Sequence, residues 1–193
     1  MRMNKDNALR NLIDISEILK KHNTSFWLQD GTLLGLYRDK NFISHDTDTN
    51  MGIMFRTFNP KCIDDFEKRG FSIFHTFGYV ENSFEIAIRR NHIKTDLFFH
   101  YEEVNFQYHC AFTRNRRIDY RYDFFKTKEV EFLNHKFPVP EDELKFIKTK
   151  YGENWEIPTK NWDWKYSPKN HVKTNIVIDT KLAKEKYDKW RNN

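Results

Sequence analysis

Residues 43–50, ISHDTDTN, carry oxygen-bearing side chains at every second position. If this segment is extended, Asp46, Asp48 and Asn50 point to the same side, because alternate side chains of a strand share a face. Carboxylates held so close together repel one another unless a cation or a metal-bound phosphate lies between them. The spacing therefore predicts a face that holds a divalent cation and the phosphates that it binds.

Two further features of the sequence point to phosphoryl chemistry. In DGTLLG, Gly31 and Thr32 predict a tight turn just before a short helix, whose free backbone N–H groups attract phosphate. In IKTDLFFHY, Asp96 stands among apolar residues, and a buried carboxylate needs a partner. Taken singly, Asp46 is typical of a turn and Asp96 of an ion pair. If their two strands are neighbours, Asp96 completes a cluster of three carboxylates with Asp46 and Asp48.

The elements that must position these residues follow from the spacing of apolar side chains. Helical spacing covers residues 6–22, and SFWLQ predicts a short strand that ends at DG. GTLLGLYRD predicts a short helix, and the strand that carries the acids covers residues 47–55. Pro60 and Gly70 are placed to begin and end the next helix.

The second half of the chain changes to a period of two, which predicts strands. They cover FSIFHTF, SFEIAIRR, IKTDLFFHY and VNFQYHCAF, with one or two more in RIDYRYDFF and VEFLNHKFPVP. A helix follows Pro140 and ends near Gly152. We expect an α+β fold with a mixed β-sheet flanked by helices. It forms a single domain over residues 1–193, on which a Trp-rich C-terminal segment, about residues 138–193, is packed.

Composition and charge narrow the class of protein. The chain has 193 residues, 17% of them aromatic, and a net charge of +5. It shows neither a signal-peptide pattern nor an apolar run that could cross a bilayer, which predicts a cytoplasmic protein with at most peripheral membrane association. Cys62 and Cys110 lack the spacing of a metal site, which favours free thiols in a reducing compartment.

The segment FWLQDGTLLGLYRDKNFISHDTDTNMGI resembles the core of the LicD/fukutin family of phosphotransferases. In that family a Gly-Thr-Leu-Leu-Gly turn and an Arg precede Asp-x-Asp-x-Asp. KTDLFF is similar to the family's later acidic strand, and KFPVPEDELKFIKTKYGENWEIPTKNWDW is similar to its C-terminal pattern of Pro, Tyr-Gly, Trp and Pro. The resemblance spans about residues 9–168.

This resemblance implies a nucleotidyltransferase-like fold and bound Mg²⁺ or Mn²⁺. The implied reaction moves a phospho-alcohol, such as phosphocholine or an alditol phosphate, from a CDP-linked donor to a hydroxyl of a glycan or lipid-linked glycan. The implied acceptor would be modified on the cytoplasmic side, with the protein peripheral at the inner membrane face.

The resemblance also assigns roles by position. Asp46, Asp48 and Asp96 match the catalytic and metal-binding acids, and Asn50 falls at the third motif position as a further metal ligand. We expect Asp96, the acid with the most apolar neighbours, to take the acceptor's proton. The predicted substrate-binding residues are Gly31, Thr32, Arg38, Arg89 and Lys94. For the basic residues among them, a solvated strand face or a structural ion pair is an equally good interpretation.

Asn50 departs from the family pattern, because it keeps an oxygen ligand but loses a charge. Two unit charges about 4 Å apart interact by roughly 4 kcal/mol at an effective dielectric of about 20. If Asp46 and Asp48 are the principal pair, the site tolerates this loss. If Asp48 and position 50 are that pair, the chain is a catalytically impaired relative that still binds nucleotide or glycan. We expect an active enzyme and keep the impaired relative as an alternative.

Two other interpretations stay open at this point. The same scaffold could transfer the nucleotide itself to an acceptor. In FTRNRRIDYRYDFFK, Arg114, Arg116, Arg117 and Arg121 alternate with aromatic residues, as in proteins that bind single-stranded nucleic acid. The basic excess is modest, so we expect no nucleic-acid partner. The Trp residues within 155–164 could stack on a sugar or base, but packing of the C-terminal segment is favoured.

Overall fold

A computed structural model describes residues 3–159 and 161–192. This part of the chain contains five α-helices and ten strands. The helices are α1 (Lys5–Lys21), α2 (Asp30–Leu34, continued by a π-helical turn, Gly35–Asp39), α3 (Lys61–Lys68), α4 (Glu143–Tyr151) and α5 (Thr180–Arg191). The strands are β1 (Phe26–Leu28), β2 (Asp48–Met54), β3 (Ser72–Phe77), β4 (Glu85–Arg90), β5 (Ile93–Glu102), β6 (Gln107–Thr113), β7 (Arg116–Tyr122), β8 (Thr127–Phe132), β9 (His135–Pro140) and β10 (His171–Val177).

Eight of the strands form one mixed sheet. Along it β1, β2, β5, β6, β7 and β10 are successive neighbours, and β4 joins β3 to β5. β2 and β5 are parallel, whereas the other neighbours in the sheet are antiparallel. β8 and β9 form a separate hairpin. The predicted α+β fold, a mixed sheet flanked by helices, is therefore confirmed.

The central strands β2 and β5 give the sheet one apolar and one polar face. Met51 and Ile53 of β2 are fully buried in the hydrophobic core, as is Leu97 of β5. Thr49 and Thr95 pair in register two residues earlier on the same face, with their hydroxyl oxygens 2.8 Å apart. Because side chains alternate along a strand, the intervening residues of both strands point to the opposite face.

The helices cover the apolar face with amphipathic surfaces. α1 begins at a cap in which the Asn4 side chain accepts a hydrogen bond from the Asn7 N–H at 2.9 Å. Its residues Leu12, Ile15 and Leu19 are fully buried, and it packs against α3 and β2. Within the described ranges, no helix combines the length and the apolar character needed to cross a bilayer.

The structure differs from the predicted elements at two places that matter for the site. α2 begins at Asp30, whose φ of 52° is in the left-handed region that Asp tolerates better than most residues. Gly31 therefore lies in the first turn of the helix and not in a turn before it. β10 and α5 had no predicted counterpart, although Ala183, Tyr187 and Trp190 of α5 have helical spacing; β10 pairs with β7 at the end of the sheet.

Candidate active site

The polar face of the sheet forms one wall of a cleft of about 470 Å³, a size typical of sites for small molecules and cofactors. Residues from α2, from the loop before β2 and from β2, β3, β4 and β5 line this wall. A second part of the lining, here called the aromatic wall, comes from the end of α4 and the loop after it: Tyr151, Trp155, Trp162 and Trp164.

The parallel register of β2 and β5 brings the predicted polar residues together. Asp48 pairs with Lys94, and Asn50 pairs with Asp96, so all four lie on the cleft face of neighbouring strands. Asp46 precedes β2 in the loop and also lines the cleft. Strand pairing thus gathers side chains that are nearly fifty residues apart in the sequence.

Gly31 allows α2 to approach this wall closely. A Cβ atom added to Gly31 would lie 2.7 Å from Oδ2 of Asp46 and 3.4 Å from Oδ1 of Asn50. Any larger residue would therefore displace the Asp46 carboxylate. Thr32 has a different task, because its hydroxyl oxygen accepts a hydrogen bond from the Asn50 N–H at 2.8 Å. It ties α2 to β2, is only 2% exposed and is not among the residues that line the cleft.

Lys94 lies between two of the acids. Its Nζ is 3.2 Å from Oδ2 of Asp48 and 2.7 Å from Oδ2 of Asp96. Asp96 is 5% exposed, and its Oδ1 is buried with no hydrogen-bond partner among the described residues. The ammonium group therefore lies between the two carboxylates and neutralises part of their charge. A metal ion bound to both would occupy the same position.

Burial raises the proton affinity of this wall. Loss of hydration raises the pKa of Asp96 to about 7, although the neighbouring Lys94 opposes the shift. Burial, together with repulsion from Asp48, raises the pKa of Asp46 to about 6. Lys94 offsets only part of this cost at Asp96, and Asp46 forms no ion pair among the described residues, so a bound cation would stabilise the ionised form of both carboxylates.

The two predicted arginine contacts lie in different surroundings. Arg38 lines the cleft, where its Nε donates to Oδ1 of Asp39 at 2.8 Å and its Nη1 donates to the Trp155 carbonyl oxygen at 3.5 Å. Arg89 is exposed and does not line the cleft; its guanidinium stacks 3.7 Å from the centre of the Phe74 ring. The structure thus brings Arg38 to the site and leaves Arg89 at the outer edge of the sheet.

The cleft also contains two pairs of polar residues that were not predicted from the sequence. Asp30 and Lys150 form an ion pair, with Oδ1 and Nζ 2.5 Å apart, that joins α2 to α4. His75 and Glu85 line the cleft beside Asp96, with Nε2 and Oε1 3.7 Å apart. Glu85 carries the same signal that identified Asp96, a lone acid in an apolar strand. Lys150 carries none, because it is one of several lysines in a helix.

The geometry can now be compared with known proteins. Residues 23–142 match a family model described as LicD/FKTN/FKRP, nucleotidyltransferase domain. This chain belongs to that family. The predicted family membership is confirmed, and the match contains the predicted acids of β2 and β5 together with Gly31.

Named relatives agree with the family match. The ribitol-5-phosphate transferase FKTN of Homo sapiens is 35% identical over 158 residues, and so is that of Mus musculus. The aligned part is 80% of this chain and 34% of each relative, so the chain spans about a third of the length of these proteins. The uncharacterized protein T07A5.1 of Caenorhabditis elegans is 25% identical over 181 residues, which is 87% of this chain and 48% of that protein.

Solved structures show the same fold. The antibiotic-resistance factor ANT(2'')-Ia superposes with a TM-score of 0.51 at 11% identity, covering 98% of this chain and 91% of the other. The lincosamide antibiotic adenylyltransferase LnuA, bound to lincomycin, superposes with a TM-score of 0.50 at 13% identity, covering 75% of this chain and 85% of the other. The nucleotidyltransferase-like fold expected of a LicD/FKTN/FKRP domain is confirmed.

The donor set of this LicD/FKTN/FKRP domain fits a divalent cation. Carboxylate and carboxamide oxygens are the ligands that Mg²⁺ and Mn²⁺ prefer. Asp46 and Asn50 converge beside Gly31, and Asp48 and Asp96 converge on Lys94. The unpartnered Oδ1 of Asp96 offers a further ligand atom. These residues could hold a cation once the Lys94 side chain moves aside.

Two tryptophans of the aromatic wall have ring contacts within the domain. Trp155 packs edge-on against Tyr37 with ring centres 5.3 Å apart, which joins the segment after α4 to the helical turn after α2. Trp162 packs against Tyr151 at 4.7 Å, within the C-terminal segment. Both tryptophans line the same cleft as the acids.

The arginine-rich segment of β6 and β7 is partly structural. Arg117 is buried, pairs with Oδ1 of Asp119 at 2.5 Å and lies over the Tyr108 ring. Arg121 lies over the Phe106 ring, with its guanidinium 4.6 Å from the ring centre. These contacts give two of the four arginines of the segment a structural role.

Proposed function

We propose that this domain is a metal-dependent phosphotransferase that moves a phospho-alcohol from a CDP-linked donor to a hydroxyl of a glycan. The presence of Asp46, Asp48 and Asp96 in the lining of one ligand-sized cleft, two of them on paired strands, is the observation that carries the proposal. The names of the FKTN relatives make ribitol phosphate the first candidate for the transferred group.

Asp46, Asp48, Asn50 and Asp96 would hold the cation, Mg²⁺ or Mn²⁺. When bound, such an ion supplies charge stabilisation to the donor pyrophosphate and to the departing CMP. The register of β2 and β5 sets the positions of Asp48, Asn50 and Asp96. Gly31, which has no side chain, lets α2 approach Asp46 and Asn50 closely.

Lys94 and Arg38 would contact the donor phosphates. Lys94 is 29% exposed at its side chain and holds Asp48 and Asp96 only by its flexible end, so it can turn toward a phosphate when a cation replaces it. Arg38 reaches the cleft from the π-helical turn after α2 and presents a planar guanidinium, which suits phosphate oxygens.

Asp96 would accept the proton of the attacking hydroxyl at its Oδ1. That oxygen has no hydrogen-bond partner, and burial raises the pKa of the metal-free carboxyl to about 7, so the group holds a proton more readily than an exposed Asp. In this reaction the acceptor oxygen forms a bond to the phosphorus of the phospho-alcohol. The bond from that phosphorus to the bridging oxygen of the pyrophosphate breaks, and CMP leaves with that oxygen. The hydroxyl proton goes to Asp96.

The reaction can be tested with CDP-ribitol, CDP-glycerol and CDP-choline in the presence of Mg²⁺, with phosphorus NMR to identify the products. The proposal predicts release of CMP, with the phospho-alcohol on an added glycan acceptor or on water. Asp48→Asn should lower the rate by at least about 100-fold, because a ligand of the phosphate-bound cation is lost.

The nucleotidyltransferase alternative predicts a different set of products. Attack at the cytidine phosphorus of CDP-ribitol would release ribitol phosphate and leave CMP on the acceptor. Mass spectrometry of the acceptor separates the two additions. If the added mass is that of CMP, or if Asp48→Asn reacts as fast as the unaltered protein, the phosphotransferase proposal is wrong.

A further inference from the structure

His75, Glu85 and Asp96 form a second cluster in the cleft, on the β3–β4 side of Asp96. Asp48 and Asn50 lie on its other side, in β2. One ligand atom from each residue of the cluster lies within 4.8 Å of the other two. Two of the three residues, His75 and Glu85, have no part in the function proposed above.

A bulge in β3 turns His75 into the cleft. Ile73 pairs with Ile88 of β4, but the register then shifts and His75 pairs with Ala87. Without the shift, His75 would lie opposite Ile86, whose side chain is fully buried in the core. Bulges are common next to active sites, where they redirect a side chain. This one places an imidazole beside two acids.

Two atoms of the cluster are buried without a hydrogen bond in the described structure. They are Oδ1 of Asp96 and Nε2 of His75. The distance of 3.7 Å from this nitrogen to Oε1 of Glu85 is too long for a hydrogen bond. Buried polar atoms without partners cost free energy, and a shared cation would satisfy them together.

Positive charge in the cleft neutralises this cluster only in part. The Lys94 ammonium contacts Oδ2 of Asp96, but it is shared with Asp48. Lys150, the other cleft lysine among the described residues, is paired with Asp30. Glu85 has no lysine or arginine within ion-pair distance among the described residues, and Oδ1 of Asp96 has no partner.

We propose that His75, Glu85 and Asp96 bind a second divalent cation, of the class that accepts a nitrogen ligand. One imidazole and two carboxylates suit Zn²⁺, Mn²⁺ or Co²⁺ better than Mg²⁺, which favours oxygen alone. Bonds of about 2.0–2.2 Å require small side-chain rotations that bring the ligand atoms to about 3.4 Å from one another. The open cleft leaves further positions for water or a substrate hydroxyl.

This site shares Asp96 with the centre on the β2 side, where Oδ2 of Asp96 contacts Lys94. If the second cation binds Oδ1, that oxygen cannot also accept the proton of the acceptor, so cation binding here and proton acceptance by Asp96 exclude each other. The inference concerns metal binding alone and holds whichever group the domain transfers.

The test uses the metal-free chain and Mn²⁺ alone, with pulsed EPR to detect coupling between bound Mn²⁺ and an imidazole nitrogen. The proposal predicts nitrogen coupling in the unaltered protein and its loss in His75→Gln. His45→Gln is the matched control, because His45 also lines the cleft, beside Asp46, and should leave the coupling unchanged. Asp48→Asn should also retain it, even if transfer activity is absent.

Thermal unfolding in EDTA checks that His75→Gln folds. If that variant is unstable, Glu85→Gln serves instead, and we expect it to weaken Mn²⁺ binding at the nitrogen-coupled site by about 10–100-fold. Absence of nitrogen coupling in the unaltered protein would overturn the proposal. So would coupling that survives in His75→Gln, coupling that disappears in His45→Gln, or unchanged Mn²⁺ affinity in Glu85→Gln.

Discussion

Asn50 is the residue at which this domain departs from its family motif. It pairs in register with Asp96, and its Oδ1 faces the same point beside Gly31 as the Asp46 carboxylate. Asn50→Asp would add a negative charge beside Asp46. Because we expect Asp46 and Asp48 to be the principal ligands, we predict that it tightens Mg²⁺ binding by less than about tenfold, which corresponds to about 1.4 kcal/mol. A much larger gain would support the impaired relative instead. Calorimetric titration of Mg²⁺ measures this.

Asn134→Asp is the control for that variant, because Asn134 is exposed in the turn between β8 and β9. It should leave Mg²⁺ affinity unchanged. If Asn50→Asp gains no more affinity than the control, Asp46 and Asp48 are the principal ligands. The alternative of an impaired relative would then lose its support.

Gly31 and Gly35 are both closely packed, with different neighbours. A Cβ on Gly31 would press on the end of the Asp46 side chain, which can move. A Cβ on Gly35 would lie 2.5 Å from the backbone oxygen of Asn41, which cannot move without shifting the loop. We predict that Gly31→Ala weakens Mg²⁺ binding by about tenfold or more with little loss of stability.

Gly35→Ala should show the opposite pattern, with a loss of stability of about 1–3 kcal/mol from overpacking. Urea unfolding and Mg²⁺ titration of both variants separate the two effects. Equal loss of stability in the two variants, with Mg²⁺ affinity intact in Gly31→Ala, would show that Gly31 serves packing alone.

The raised pKa values of Asp46 and Asp96 give the site a dependence on pH. The pKa is about 6 for Asp46 and about 7 for Asp96, so each carboxylate holds a proton at pH values below its own pKa. A cation that binds there must displace these protons. We predict that Mg²⁺ affinity rises between about pH 5 and pH 8 and is level above that range. Calorimetry in buffers of different ionisation enthalpy should detect proton release on binding.

The same shifts affect stability in the absence of metal. Because the pKa of Asp96 is higher in the folded chain than its ordinary value of 3.8, the proton stabilises the fold. The free energy of unfolding in EDTA should therefore fall, on the order of a few kcal/mol, as pH rises from about 4 to about 7. Asp96→Asn should flatten this slope, whereas Asp123→Asn, at an exposed site, should not. An unchanged slope in Asp96→Asn would refute the assignment.

At the scale of elements, the ion pair of Asp30 and Lys150 fixes α2 against α4. Both side chains are at most 10% exposed. Lys150→Met would leave a buried carboxylate without its partner, and we predict a loss of about 3–5 kcal/mol in the free energy of unfolding. The double variant Asp30→Asn with Lys150→Met should recover most of it. Urea unfolding measures both.

Lys148→Met is the control on the same helix, since Lys148 pairs with Glu153 at the surface. It should cost less than about 1 kcal/mol. A loss in Lys150→Met no larger than this would mean that the buried pair does not hold the two helices together.

The elements also show where sequence patterns are sufficient and where they are not. Alternation of apolar and polar residues predicted β2 and β5, and it placed Asp48 and Asp96 on strands. The pattern did not reveal the bulge before His75, because an inserted residue leaves no mark on composition. It also misplaced the start of α2, since the left-handed residue is Asp30 and not the glycine that follows.

At the scale of the molecule, the motif and the alternation of strands predicted the mixed sheet and its acidic face. The cleft needs a second wall, formed where the loop after α4 returns to α2, as in the contact of Trp155 with Tyr37. Such contacts join residues that are more than a hundred positions apart in the sequence, so they depend on tertiary packing. A single sequence therefore indicates the acids, whereas it names the tryptophans only as residues with two possible roles and does not place them in the cleft.

The most direct test of the central claim is calorimetric titration of CDP-ribitol into the domain with Mg²⁺, in EDTA, and into the Asp48→Ala variant with Mg²⁺. The acidic wall should bind the donor through the cation, so we predict binding with Mg²⁺, none in EDTA, and none in a folded Asp48→Ala variant. Binding of equal strength in EDTA, or in Asp48→Ala, would contradict the account.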